Sequence, residues 1–308
     1  MSRKGLSLMV TDDELAKLLK AGEIARRVRE EAHRVVKPGA RLVDIAEYLE
    51  RMIRELGGFP AFPINIGVNE VAAHYTPVPN DPSVIPDNSV VKIDIGVHVD
   101  GYIADTATTL CFNPAMEGLV EAARKALERV VEVFKPGVKA SEIGRVVEDT
   151  IRSYGFKPIK NLSGHSISAY TIHAGVSIPN FNDLFARYKL EQGVYAVEPF
   201  ATNGAGLVKD LSLKTIYALK QGRRGRLPPQ ALRLYDQIYG ERKTLPFAER
   251  WYMGLASSAE GLKGLLALME RNNLLTAYPV LVEKDSGVVS QFEHTFIVLD
   301  KEVVVSTL

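Results

Sequence analysis

Four carboxylates sit in stretches where acidic residues are costly. Residues 90–110, VVKIDIGVHVDGYIADTATTL, are β-branched and apolar with a turn in the middle, and read as two strands of a hairpin. Asp94 and Asp105 fall inside those strands rather than in the turn. Their odd spacing puts them on one face of an unbulged hairpin. A loop centred between residues 99 and 100 would set them directly opposite, with Cβ atoms about 5 Å apart, where like charges repel. The bland alternative is two solvated carboxylates, or one of them paired with Lys92. Two more apolar strands carry one interior acid each: Glu198 in VYAVEPFA (194–201) and Glu293 in QFEHTFIVL (291–299). Four carboxylates facing one centre need cations between them. Carboxylates that bridge two metals about 3.5–4 Å apart are a known catalytic design.

Six histidines add to this set. GHSISAYTIHAG (164–175) holds His165 and His173 in a glycine-flanked, β-like segment, and VAAHYTPVP holds His74. His33 and His98 read as ordinary surface or core residues. His294 alternates to the face opposite Glu293 and reads as structural. His74, His165 and His173 remain, as one candidate ligand and two acid–base or orienting groups.

An internal repeat explains how distant residues would meet. VVKPGARLVDIAEYLERMIRELGGFP near residue 35 aligns with VFKPGVKASEIGRVVEDTIRSYGFKP near residue 133, matching Pro38/Pro136, Gly39/Gly137, Ile53/Ile151 and Gly57/Gly155. Each copy reads as an amphipathic helix (13–36, then 117–134) stopped at Lys-Pro-Gly. A second helix follows, capped by Asp44 or Ser141, and then strands. Helix–helix–strands repeated twice predicts an α+β domain with pseudo-two-fold symmetry and a site on the axis. His74 and His173 then become partners about that axis. Residues 205–280 carry helical periodicity in PPQALRLYDQIYGERK and SSAEGLKGLLALMERNN. The expected division is a catalytic domain of residues 1–204 and 281–308 with a mainly helical insertion at 205–280. The basic turn QGRRGR (221–226) reads as a solvated loop.

The 308 residues are 46% apolar and 24% charged with a net charge of +1, which argues against a global field for nucleic acid or anionic membrane. No apolar run is long enough for a membrane span or, within MSRKGLSLMVTDDEL, for a signal peptide. One cysteine, Cys111, allows no internal disulfide and fits a reducing compartment. The expectation is a cytoplasmic globular protein.

AAHYTP, KIDIGVHVDGYIAD, SGHSISAYTIHAG, YAVEPFA and QFEHT together resemble the motifs of the type 2 methionine aminopeptidases, in order and across essentially the whole chain. The short archaeal form is the nearer match, because the long charged extension of eukaryotic members is not in this sequence. The resemblance implies a pita-bread fold and hydrolytic removal of initiator methionine, with a preference for a small second residue. It implies two divalent ions (Co, Mn, Fe or Zn) held by Asp94, Asp105, His165, Glu198 and Glu293, with Asp105 and Glu293 bridging. It makes His74 and His173 substrate contacts and catalytic groups, with Glu198 as proton relay, and lines the methionine pocket with Phe62, Ile172, His173 and Tyr278. The implied partners are N-termini of nascent polypeptides and, transiently, the ribosome, for a monomer that binds neither membrane nor nucleic acid. Two other readings keep the fold: an Xaa-Pro peptidase of the prolidase group, and a non-catalytic binding protein. The first usually carries an extra N-terminal domain, and the second would be expected to lose ligands.

Overall fold

A computed structural model describes residues 10–220 and 227–308; the RRGR turn lies outside the described residues. Helix α1 (Asp12–Val35) opens on a capping box in which Thr11 and Glu14 bind each other's backbone N–H. Its apolar stripe, including Leu18, Ala21, Ile24, Ala25 and Val28, is buried. After Lys37-Pro38, Gly39 takes φ +82° and helix α2 (Leu42–Glu55) begins. The second copy repeats this with α3 (Glu117–Val133), Gly137 at φ +74° and α4 (Ala140–Ser153). The left-handed turn is cheap only for glycine, which is why Lys-Pro-Gly recurs.

The expected caps are corrected. Asp44 and Ser141 lie inside α2 and α4, and the cap positions belong to Arg41 and Lys139, neither of which makes a side-chain cap bond. The neighbouring chain satisfies the free amides instead: Leu42 donates to the Ser83 carbonyl, Ala140 to that of Tyr188 and Ser141 to that of Ala186.

In each half the helix pair packs on a sheet. In the first half, strand Val90–Val99 lies between Tyr102–Cys111 and Asn65–Val68. In the second, Gly193–Val197 pairs with both His294–Val298 and Ser163–Ile167, and Phe200–Thr202 pairs with Val289–Gln291. The halves are sewn together by threonines on strands Tyr102–Cys111 and His294–Val298. Thr106 Oγ1 donates to the Glu293 carbonyl and Thr109 Oγ1 to that of Gln291. Thr295 Oγ1 both accepts from the Asp105 N–H and donates to the Asp105 carbonyl, each at 2.7 Å.

The segment expected to be mainly helical contains the two helices read from its periodicity, α5 (Pro229–Arg242) and α6 (Ala259–Arg271). They hang from two long strands, Val208–Leu219 and Leu275–Glu283, which pair with each other. The second of these also pairs with Val71–Ala73 of the first half. These helices and strands thus have a core of their own, with Leu234, Ile238, Leu266 and Met269 buried, and a sheet that reaches strand Val71–Ala73. None of the described helices is long and apolar enough to cross a membrane.

Candidate metal centre

The hairpin turn is Asp100-Gly101, with φ +50° and +89°, the two-residue geometry that Asp-Gly favours. Val99 therefore faces Tyr102, Asp94 faces Ala107 and Asp105 faces Gly96. The two aspartates share a face as expected but stand diagonally, not directly opposite, because the turn centre lies one residue later than the expected loop. Lys92 neutralises neither: its Nζ donates to the carbonyls of Asn69 and Val289, both at 2.9 Å.

Glu198 lies between strands Gly193–Val197 and Phe200–Thr202, and Glu293 forms an isolated bridge to Ala107. Their flanking residues keep one register, Val197 with His294 and Phe200 with Gln291, so Glu198 faces Glu293 across the break. Ligand atoms of Asp105, His165 and Glu293, all buried, lie within 4.8 Å of one another. His165 Nε2 is 3.8 Å from Asp105 Oδ2 and 3.6 Å from Glu198 Oε1. Gln291, which the sequence reading missed, donates through Nε2 to Glu198 Oε2 at 3.3 Å and to Glu293 Oε2 at 3.5 Å. It lies two residues before Glu293, and that spacing in QFEHT was the available signal.

The set fits a cation. Asp94 Oδ1, Asp105 Oδ1 and His165 Nδ1 are buried with no hydrogen-bond partner among the described residues, a costly state unless something outside the chain binds there. Without a cation, burial pushes the Asp94 carboxyl up to about 7. Burial and then repulsion from Asp94 hold Asp105 well above the usual carboxylate range. Burial, then Asp105, does the same to Glu198 and Glu293. Burial also pulls His165 down to about 3, aided by His173, so its imidazole is neutral and able to ligate.

Every site residue named from the sequence lines one cavity of about 420 Å³. Phe62, Ile172 and Tyr278 form apolar wall, joined by Phe200 and Ile216, which the sequence reading did not single out. The His165 and His173 rings meet edge to face with centroids 4.5 Å apart. The His74 ring meets Tyr278 at 5.5 Å. His74 Nδ1 donates to the Pro279 carbonyl at 3.2 Å, leaving the lone pair on Nε2. Burial lowers its pKa to about 4, against the pull of that hydrogen bond. His294 is not among the residues lining this cavity; its Nδ1 lies 2.9 Å from Thr307 Oγ1 and 3.1 Å from the Arg29 guanidinium.

A model of metallopeptidase family M24 matches residues 16–239. The chain belongs to that family. A methionine aminopeptidase of Thermococcus onnurineus is 48% identical over 296 residues, covering 96% of this chain and all of that relative. Among solved structures, a thermophilic Arx1 superposes with a TM-score of 0.83 at 18% identity, covering 96% of this chain and 91% of that one. A methionine aminopeptidase of Thermotoga maritima gives 0.69 at 20% identity, covering 96% and 97%. The likeness to these structures is one of fold, and the fold is the pita-bread arrangement.

Proposed function

We propose that this metallopeptidase removes the N-terminal methionine from nascent proteins, with preference for a small second residue. The carrying observation is the buried cluster of Asp105, His165 and Glu293 in the same cavity as the apolar wall of Phe62, Ile172 and Tyr278. Near-full-length likeness to methionine aminopeptidases supports the same activity. The ligand set is Asp94, Asp105, His165, Glu198 and Glu293, holding two divalent ions. This mainly oxygen set with one imidazole accepts Mn, Fe, Co or Zn. When bound, the ions acidify a water and polarise the scissile carbonyl.

The protein groups divide the remaining work. Glu198, whose side chain keeps 14% exposure against 4% for Asp105, relays a proton toward the leaving amine. His74, neutral near pH 7 with its lone pair on Nε2, accepts a hydrogen bond from a substrate backbone N–H. His173 flanks the reacting bond from the other half. Phe62 and Tyr278 suit a thioether, at about 0.3–1.5 kcal/mol per sulfur–aromatic contact, so cavity shape supplies most of the selectivity. The substrates are polypeptide N-termini met at the ribosome, and the enzyme acts as a cytoplasmic monomer; the single cysteine supports a reducing compartment.

The test strips the protein with chelator, reloads Mn or Co, and measures methionine release from Met-Ala-Ser, with Met-Lys-Ser and an Xaa-Pro peptide in parallel. Release that returns with metal and favours alanine is expected. Cleavage of only the Xaa-Pro peptide moves the chain to the prolidase group. No cleavage by a folded protein that binds metal overturns the enzymatic reading.

A further inference from the structure

His74 has a backbone that its own segment does not explain. Its φ is +64°, in the left-handed region that residues bearing Cβ adopt uncommonly. The groups that fix it come mainly from the insertion. Thr215 Oγ1 donates to the His74 carbonyl at 3.2 Å and accepts from the Thr76 N–H at 3.1 Å, spanning the strained residue. The Pro279 carbonyl accepts a hydrogen bond from the ring Nδ1–H, and Leu281 pairs with Ala73 just upstream. Arg250 closes the far side, donating to Thr76 Oγ1 and to the Pro77 carbonyl while ion-paired with buried Glu50 of α2.

The strand carrying Thr215 is irregular at this point. Its pairing with Leu275–Glu283 shifts register between Asp210 and Lys214, and again between Lys214 and Ile216. Such bulges re-aim side chains and cluster beside active sites. Here the irregularity accompanies a threonine, 1% exposed, whose hydroxyl bonds to the His74 segment. A valine in its place would keep the volume and lose both bonds.

We propose that the insertion serves to set His74, and that Thr215 is the positioning residue through which it does so. This rests on the reading that His74 touches the substrate near the scissile bond. The insertion strands then fix both what His74 presents, a lone pair at Nε2, and where it presents it. Displacement of about 1 Å at such a group costs up to about 100-fold in rate.

The experiment compares Thr215→Val and Thr215→Ser with wild type in two readouts. Nitrogen-15 NMR of histidine-labelled, metal-free protein reports the His74 tautomer, independently of activity. Peptide kinetics with Met-Ala-Ser report kcat and KM separately. Expected are a single Nδ1–H tautomer in wild type, retained in T215S and mixed or shifted in T215V. With it goes a kcat loss of about 10–100-fold in T215V at nearly constant KM, restored by T215S. Thr215→Ala against Thr215→Ser makes the same comparison if the valine variant does not fold. An unmoved His74 signal with kcat within twofold of wild type overturns the proposal, as does a serine variant impaired as much as the valine. If wild type releases no methionine while T215V still shifts the His74 signal, the positioning stands and the assigned reaction falls.

Discussion

The two halves of the fold, each a helix pair on a sheet, deliver two carboxylates each, by different backbone devices. In the first half both acids sit in one hairpin of two ten-residue strands, closed by a two-residue turn. Both are aspartates, placed diagonally on a continuous ladder. In the second half the acids are glutamates, face to face where the pairing is interrupted, and 95 residues apart in sequence. The ladder leaves a short side chain little freedom, whereas the break leaves room for a longer one that Gln291 then steers. The fold thus brings four acids to one cavity with rigid short arms on one side and longer, guided arms on the other.

The most damaging way to break this comparison is Glu293→Gln. Of Glu198 and Glu293, it removes charge from the one whose backbone is bridged into the first half, at Ala107. Metal binding by calorimetry and peptide cleavage are both expected to fall by more than about 100-fold, beyond the range usual for outer-shell partners. Lengthening an arm sharpens the contrast: Asp105→Glu puts an extra methylene into a position 3% exposed and fixed on both sides by Thr295. It is expected to cost about 100-fold in kcat by displacement; Glu198→Asp, at the break, should cost less in the same assay. Gln291→Leu removes the donor that steers both glutamates and should weaken metal affinity by about 10–100-fold, leaving the aspartate hairpin unchanged in backbone NMR.

The mildest test is pH. The folded, metal-free carboxyls of Asp94, Asp105, Glu198 and Glu293 are all raised by burial above their unfolded values, Asp94 to about 7. The folded state therefore holds more protons than the unfolded one, and their contribution is fully present below the ordinary carboxylate range; that of Asp94 is lost as pH rises through about 7, and those of Asp105, Glu198 and Glu293 as pH rises well above that range. Metal-free protein should lose Tm across that window relative to metal-loaded protein, with metal restoring it at pH 7. Equal slopes with and without metal would mean that the four groups are not the metal's ligands.

Much of this was legible in sequence because unlike signals agreed. Lys-Pro-Gly at a 98-residue shift pointed to two similar helix pairs, and acids interrupting β-branched runs pointed to side chains that line one cavity. What failed was local chemistry settled by distant chain. Asp44 and Ser141 looked like caps, but the amides found carbonyls at Ser83, Tyr188 and Ala186. Asp100-Gly101 was a readable turn signal that the assumed loop centre overrode, and that one-residue error turned a diagonal pair into an opposed one. Val208–Leu219 lies in a stretch whose neighbouring helical periodicity predicts helix, and with six consecutive exposed residues from Lys209 to Lys214 it has no continuous buried face to mark it as a strand. Its reason for being a strand is its pairing with Leu275–Glu283, which lies beyond both insertion helices.

The threonine seam has a consequence for how the protein is made. It joins residues separated by 182 to 190 positions: Thr109 to Gln291, Thr106 to Glu293 and Asp105 to Thr295. Contacts of such range demand loop closure before they give anything back, and they place a chain among slow folders. During synthesis the aspartate hairpin can form early, but its charged face waits unmatched until the strand carrying Glu293 has emerged. The centre is therefore assembled late, and metal uptake should follow folding as a signal that the two halves have joined.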